Sequence, residues 1–252
     1  MFTTTPFSSR REGNEINDFS RHGYHRILLA LKEAGYSFRG FSEADQIESQ
    51  KPQVFLRHDV DFSLQSALRM ANVEYIENIK TTYFIQLRSP LYNALSQYTR
   101  DLVGELHGLG HEIALHLDLG LYRDNYVNGV RDEIKLLIAC YPFADPRVIS
   151  FHRPRGIEEL RKLRLPNVRH TYEQRFFGDI EYISDSTGAW RHDHPLSSQA
   201  FQSKRSMQLV THPLWWMMSG QTSQEKFGSF IAERRTETVE FLRQTVSFGV
   251  DL

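Results

Sequence analysis

Two carboxylates set two residues apart, Asp59 and Asp61 in His58-Asp59-Val60-Asp61, close the apolar run Val54-Phe55-Leu56. On an extended segment, side chains at i and i+2 share a face, so both would aim at one spot. Like charges are held that close when a metal, a proton or a cationic neighbour compensates them. Such a pair suits metal binding and general base catalysis. The structural alternative is that Asp61 caps the helix expected over 64–80. Asp59, one residue inside the strand, escapes that explanation.

Comparable groups close three other apolar segments: His116 and Asp118, His152 and Arg153, and Thr211 and His212. A lone histidine is more often a satisfied core or loop residue than a ligand. Four strand ends carrying such residues together favour a shared site.

The elements that must position them follow an alternating pattern. Helical periodicity over 24–34 ends at Gly35. Strands are expected at 54–61, 82–87, 112–119 and 147–153, each followed by a helix, at 64–80, 94–109, 128–141 and 157–165. Strand followed by helix, four times over, argues parallel pairing with crossover helices. Residues 168–177 and 182–184 look extended, 207–211 reads as a buried strand, and 225–244 as a long amphipathic helix. The expected fold is α/β, a distorted (β/α) barrel with fewer than eight regular strands, in one domain spanning 1–252. Its core lies at roughly 50–215, after a helical extension over 15–50. Function in such folds gathers at the C-terminal ends of the strands.

Composition narrows the classes. The chain has 252 residues, 40% of them hydrophobic, which suffices for one sizeable core. A net charge of −1 leaves no footprint for nucleic acid. No apolar run approaches the ~18 residues that span a bilayer, and the first residues lack a secretory h-region, so a cytoplasmic protein is expected. The single cysteine, Cys140, reads as a buried small hydrophobe. Arg191-His192-Asp193-His194 is read as a polar turn before Pro195, and the Arg-rich stretch 153–175 as a solvated face. Trp215 and Trp216 could stack on a sugar ring or pack in the core.

Taken in order, Leu56 to Asp61, Gly110-His111-Glu112-Ile113-Ala114-Leu115-His116, Phe151-His152-Arg153-Pro154-Arg155-Gly156, Asp185 to Trp190 and Leu209-Val210-Thr211-His212 form one series. It resembles the polysaccharide deacetylase (NodB-homology) family of carbohydrate esterases, and more closely the divergent branch associated with bacterial surface-polysaccharide gene clusters. The resemblance covers roughly residues 50–215. It implies a metal-dependent hydrolase that removes an acetyl or similar acyl group from an amino sugar or saccharide. Zinc is the expected ion, with cobalt, nickel or manganese also suited to His and Asp ligands.

Carried over residue by residue, the resemblance makes Asp59 the catalytic base and Asp61 and His116 metal ligands. Trp190 and Leu209 become walls of the acyl pocket. His212 becomes the proton donor to the leaving amine, and Asp185 the acid that orients a cationic neighbour. Two departures stand out. Gly120 occupies the place of the family's second metal histidine, leaving Asp118 or His152 to supply that ligand. His152 is preferred, because groups from separate strands converge on one ion better than an i, i+2 pair. In the Arg-Pro block, either His152 or Arg153 takes the arginine position, so the group that restrains Asp59 stays open. The competing readings are another barrel metallohydrolase, either a phosphoesterase or an amidohydrolase, and a degenerate, non-catalytic carbohydrate-binding homologue.

Overall fold

The structure, a computed structural model, describes residues 18–46, 51–122, 125–154, 156–191 and 193–246. Arg155 and His192 lie outside the described residues. The described strands are β1 (Ser37–Arg39), β2 (Gln53–Val60), β3 (Thr82–Ile85), β4 (Glu112–Leu117), β5 (Val148–Phe151), β6 (Arg169–His170), β7 (Glu181–Ser184) and β8 (Met207–Thr211). The helices are α1 (Arg21–Glu33), α2 (Leu64–Ile76), α3 (Gln97–Gly108), α4 (Tyr126–Cys140), α5 (Ile157–Lys162), α6 (Gln174–Phe177), α7 (Gln199–Gln202), α8 (Pro213–Met217) and α9 (Ser223–Thr245).

Seven strands lie side by side in the order β6-β5-β4-β3-β2-β8-β7, with β1 pairing β2 off this path. All these pairings are parallel. The sheet curls into a half-barrel, in keeping with the expected distorted barrel. Strand β1 was not expected, since three residues are too few to show a period. The stretch 168–177 is extended only at β6 and then turns into α6, so its apolar content comes from burying Phe176 rather than from a strand. Cys140 is half-buried at the end of α4 rather than fully enclosed. Among the described residues no helix is long and apolar enough to cross a membrane.

Strand alternation divides the work of β2. Val54, Leu56 and Val60 face helices in the two outer apolar clusters. Phe55 faces the concave side, where Phe41, Phe84, Ala114, Val148 and Phe176 join it in an apolar plug. Arg57 and Asp59 follow Phe55 at the same spacing and stand above that plug. The curl thus closes one end of the half-barrel with apolar side chains and leaves the C-terminal end of the strands polar.

His58 points the other way, into a polar knot beneath α2. Glu74 is fully buried there, and its Oε1 takes the His58 Nε2 contact at 2.6 Å and the Tyr24 hydroxyl. Its Oε2 accepts from Tyr83 at 2.7 Å and Thr81 at 3.1 Å. Burial pushes the Glu74 carboxyl up, but His58, then His111 and the Tyr24 hydroxyl, outweigh it and hold it below the ordinary glutamate range. Tyr24 belongs to α1, and His58 also contacts Thr211 at 2.6 Å, so one carboxylate ties α1, α2, β2, β3 and β8 together. Glu74→Ala strips every donor of its acceptor. It is expected to cost about 3–5 kcal/mol, read as a lowered midpoint in urea unfolding.

Candidate active site

The sheet order, rather than chain proximity, assembles the site. Strand β8 is inserted beside β2, which brings His212, the residue after β8, next to Asp59 and Asp61. Strand β4 brings His116, and β5 brings Ser150 and, one residue past its end, His152. A cavity of about 600 Å³ opens above these strand ends, lined by Asp59, Asp61, His116, His152, Arg153 and His212 among others. Asp61 is not the cap of α2, because the Ser63 hydroxyl takes that role by accepting from the Ser66 N–H at 3.1 Å.

Asp59 is restrained by a residue that the motif comparison passed over. Arg57 is completely buried and donates from Nη2 to Asp59 Oδ2 at 3.1 Å. Its Nη1 donates to Gln208 Oε1 at 3.0 Å, and its guanidinium lies over the Tyr172 ring, 5.2 Å from the centroid. The signal was present in the sequence: an arginine at i−2 of an aspartate shares its strand face, and a cation inside an apolar run demands a partner. Burial raises the Asp59 pKa, but Arg57, then His116 and His212, lower it more, so Asp59 stays ionised.

Arg153 therefore does not hold Asp59. With φ at +47° it turns the chain sharply after β5, and it donates to Asp118 Oδ2 at 2.6 Å from an exposed position. Asp118 Oδ1 meanwhile accepts from the Gly120 N–H at 2.9 Å, and Oδ2 also lies 3.4 Å from His152 Nδ1.

Asp61 is the focus of the histidines. Its Oδ1 lies 3.1 Å from His116 Nε2 and 3.8 Å from His152 Nε2, and its Oδ2 lies 3.8 Å from His212 Nε2. Gln86 Nε2 donates to Oδ1 at 2.9 Å. Burial pushes the Asp61 carboxyl up, and the His116 hydrogen bond and the histidine charges pull it well below the ordinary range. Burial lowers the pKa of His152.

Among the described residues no three His, Cys, Asp or Glu side chains are already drawn together as a metal-ligand set. The contacts of Ser150 decide which nitrogen of His116 faces Asp61. Ser150 Oγ donates to Asp59 Oδ1 at 3.1 Å and also meets His116 Nδ1 at 2.8 Å. A hydroxyl has one proton, so His116 Nδ1 must be the N–H that donates to Ser150. Nε2 is then the ring nitrogen that faces Asp61, where it donates to Oδ1 when it carries a proton and would offer a lone pair to a metal ion when it does not. Oxygen from Asp61 and ring nitrogens from His116 and His152 suit a borderline divalent ion.

His212 is set apart by its own acid. Its Nδ1 lies 2.6 Å from Asp185 Oδ1, its backbone N–H reaches both Asp185 oxygens at 3.1 and 3.0 Å, and Trp216 Nε1–H donates to Oδ2 at 2.7 Å. Burial opposes a charge on His212, but Asp185 outweighs it, and Asp61 and Asp59 add to the effect, raising its pKa to about 9. Trp216 is thus core and anchor at once.

The expected acyl-pocket walls are placed elsewhere. Leu209 lies on the face of β8 opposite Val210, and it is Val210 that lines the cavity. Trp190 packs against Phe19 and Trp216, with centroids 5.6 and 5.8 Å apart, outside the cavity. Phe62, Trp215 and Phe227 line the cavity with apolar rings that pack on one another, and Tyr172, Tyr182 and Ser186 line it as well.

No protein-family model matches the chain, and no curated protein matches it.

Proposed function

We propose that the protein is a metal-dependent hydrolase that removes an acetyl or similar acyl group from an amino sugar, acting in the cytoplasm on a saccharide of surface-polysaccharide metabolism. The observation that carries this reading is the meeting, in one cavity, of a carboxylate restrained by Arg57, a second carboxylate faced by His116 and His152, and a histidine paired with the buried Asp185. The motif order it shares with the polysaccharide deacetylases supports the same reading.

Amide hydrolysis needs an activated water, a stabilised oxyanion and a proton for the departing nitrogen. Asp61, His116 and His152 would hold the divalent ion, whose chemistry there is polarisation of the carbonyl and a lowered pKa for water. Asp59, kept ionised and aimed by Arg57, accepts the water proton. His212, kept protonated by Asp185, donates to the nitrogen. Aromatic faces and hydroxyls on the cavity wall suit a sugar ring, whose C–H face is apolar and whose edges are polar.

Acetate release from N-acetylglucosamine, its short β-1,4 oligomers and UDP-N-acetylglucosamine, measured with and without added Zn²⁺, tests the proposal. Metal-stimulated acetate release that His116→Ala abolishes is the expected result. Phosphate release from phosphate esters without acetate release would favour the phosphoesterase reading instead.

A further inference from the structure

Ser150 is fully buried in the middle of β5, directly opposite His116 in the register between β4 and β5. Its hydroxyl touches Asp59 on one side at 3.1 Å and His116 on the other at 2.8 Å. Arg57 occupies the other Asp59 oxygen at 3.1 Å, so Asp59 is gripped on both oxygens by groups that have no access to solvent.

We propose that Ser150 is a positioning residue coupling the two halves of the site: it accepts from His116 Nδ1–H and donates to Asp59 Oδ1, thereby fixing the nitrogen that His116 offers a metal and the direction of the Asp59 carboxylate. The inference rests on the metal-dependent reading above. It follows from proton counting. Asp59 is acceptor-only, so the single Ser150 proton goes to it, and the Ser150 lone pairs can only be met by a donor on His116. With Nδ1 committed as an N–H, Nε2 is the coordinating atom, and it is Nε2 that faces Asp61 at 3.1 Å. Hydrogen bonds of this kind behind a ligating histidine orient the ring and raise its basicity.

The test uses the full chain and Zn²⁺ alone, with affinity read by competition against a chelator and the His116 tautomer read by ¹⁵N NMR of the metal-free protein. Ser150→Ala is expected to weaken Zn²⁺ about 10- to 100-fold and to let the His116 proton move to Nε2, where Asp61 accepts it. Ser150→Thr keeps the hydroxyl and is expected to restore both readouts. Unchanged affinity and tautomer in Ser150→Ala would overturn the proposal. Equal losses in the Ala and Thr variants would overturn it as well, by assigning the effect to packing. If the wild-type chain fails to bind Zn²⁺, the metal-dependent reading falls, and the tautomer comparison still decides the role of Ser150.

Discussion

Asp59→Asn is expected to lower kcat on any acylated amino sugar the protein hydrolyses by about 10²- to 10⁴-fold, the usual contribution of a positioned general base. The amide keeps the shape of the carboxylate and can still meet Ser150, but it has no basic lone pair for the water proton. The same change leaves the Arg57 charge buried with Gln208 and Tyr172 as its remaining partners. A buried charge without its counter-ion costs about 3–5 kcal/mol, so Asp59→Asn should also unfold at lower urea.

The two effects separate in a double variant. Arg57→Met removes the buried cation at similar volume, so Asp59→Asn with Arg57→Met should regain much of the stability lost by Asp59→Asn alone and none of its activity. Recovery of activity together with stability would show that Asp59 acts through the fold and not as the base. Arg57→Met by itself tests the restraint. The wild-type Asp59 pKa is lowered in the fold, so its stabilising contribution is present above the unfolded value and lost as pH falls through the folded one. Without Arg57 the folded pKa rises, and the acid limb of kcat/KM should move to higher pH.

How much of this was readable beforehand differs from residue to residue. Strands β2, β4 and β5 were legible because each pairs a buried apolar run with an abrupt change to charged residues, β3 because it is a short apolar run between helical stretches, and helices α2 to α4 because they carry clear periods between turn residues. Asp59, Asp61, His116, His152 and His212 could be picked out as chemically able, and the sheet brings all five to one cavity. Their convergence itself was not legible. It depends on β8 entering the sheet beside β2, a pairing between segments about 150 residues apart that no local pattern encodes.

The remaining differences have local causes. Leu209 and Val210 are adjacent on one strand, and the period of two sends them to opposite faces, so a one-residue error in placing a pocket wall exchanges the core for the cavity. Ser150 gives no signal in Ile149-Ser150-Phe151, because a serine in a strand becomes informative only once its neighbours on other strands are known. The sequence left His152 and Arg153 as alternatives for the group that restrains Asp59, Arg153 being the arginine beside Pro154. The left-handed turn at that residue, with φ at +47°, accompanies its pairing with Asp118 instead, and Arg57 takes the inner position.

Asp185→Asn is expected to move the alkaline limb of activity by about two pH units. In the wild-type chain the His212 pKa stands at about 9 against an ordinary 6.5, with Asp185 as the main cause working against burial. The variant can still accept a hydrogen bond from Nδ1, but it no longer supplies the counter-charge. Burial then opposes the imidazolium with Asp61 and Asp59 left to favour it, and the pKa should fall well below 9. At pH 8 a group with a pKa of about 9 is roughly nine-tenths protonated and one two units lower roughly one-tenth, so kcat/KM should drop about 10-fold at pH 8 and change little at pH 5.5. The sign of the stability effect follows from the same linkage. A raised histidine pKa stabilises the fold fully below the unfolded value and loses that contribution as pH rises through about 9, so urea midpoints of the wild-type chain should fall between pH 6.5 and 9 and those of Asp185→Asn should stay flatter. A cation bound at Asp61 would cancel the share of the shift that Asp61 provides, but the larger share belongs to Asp185, behind His212 and away from the cavity. The alkaline limb should therefore remain above 6.5 in the metal-loaded wild-type protein, and a limb that does not respond to Asp185→Asn would remove His212 from the role of proton donor.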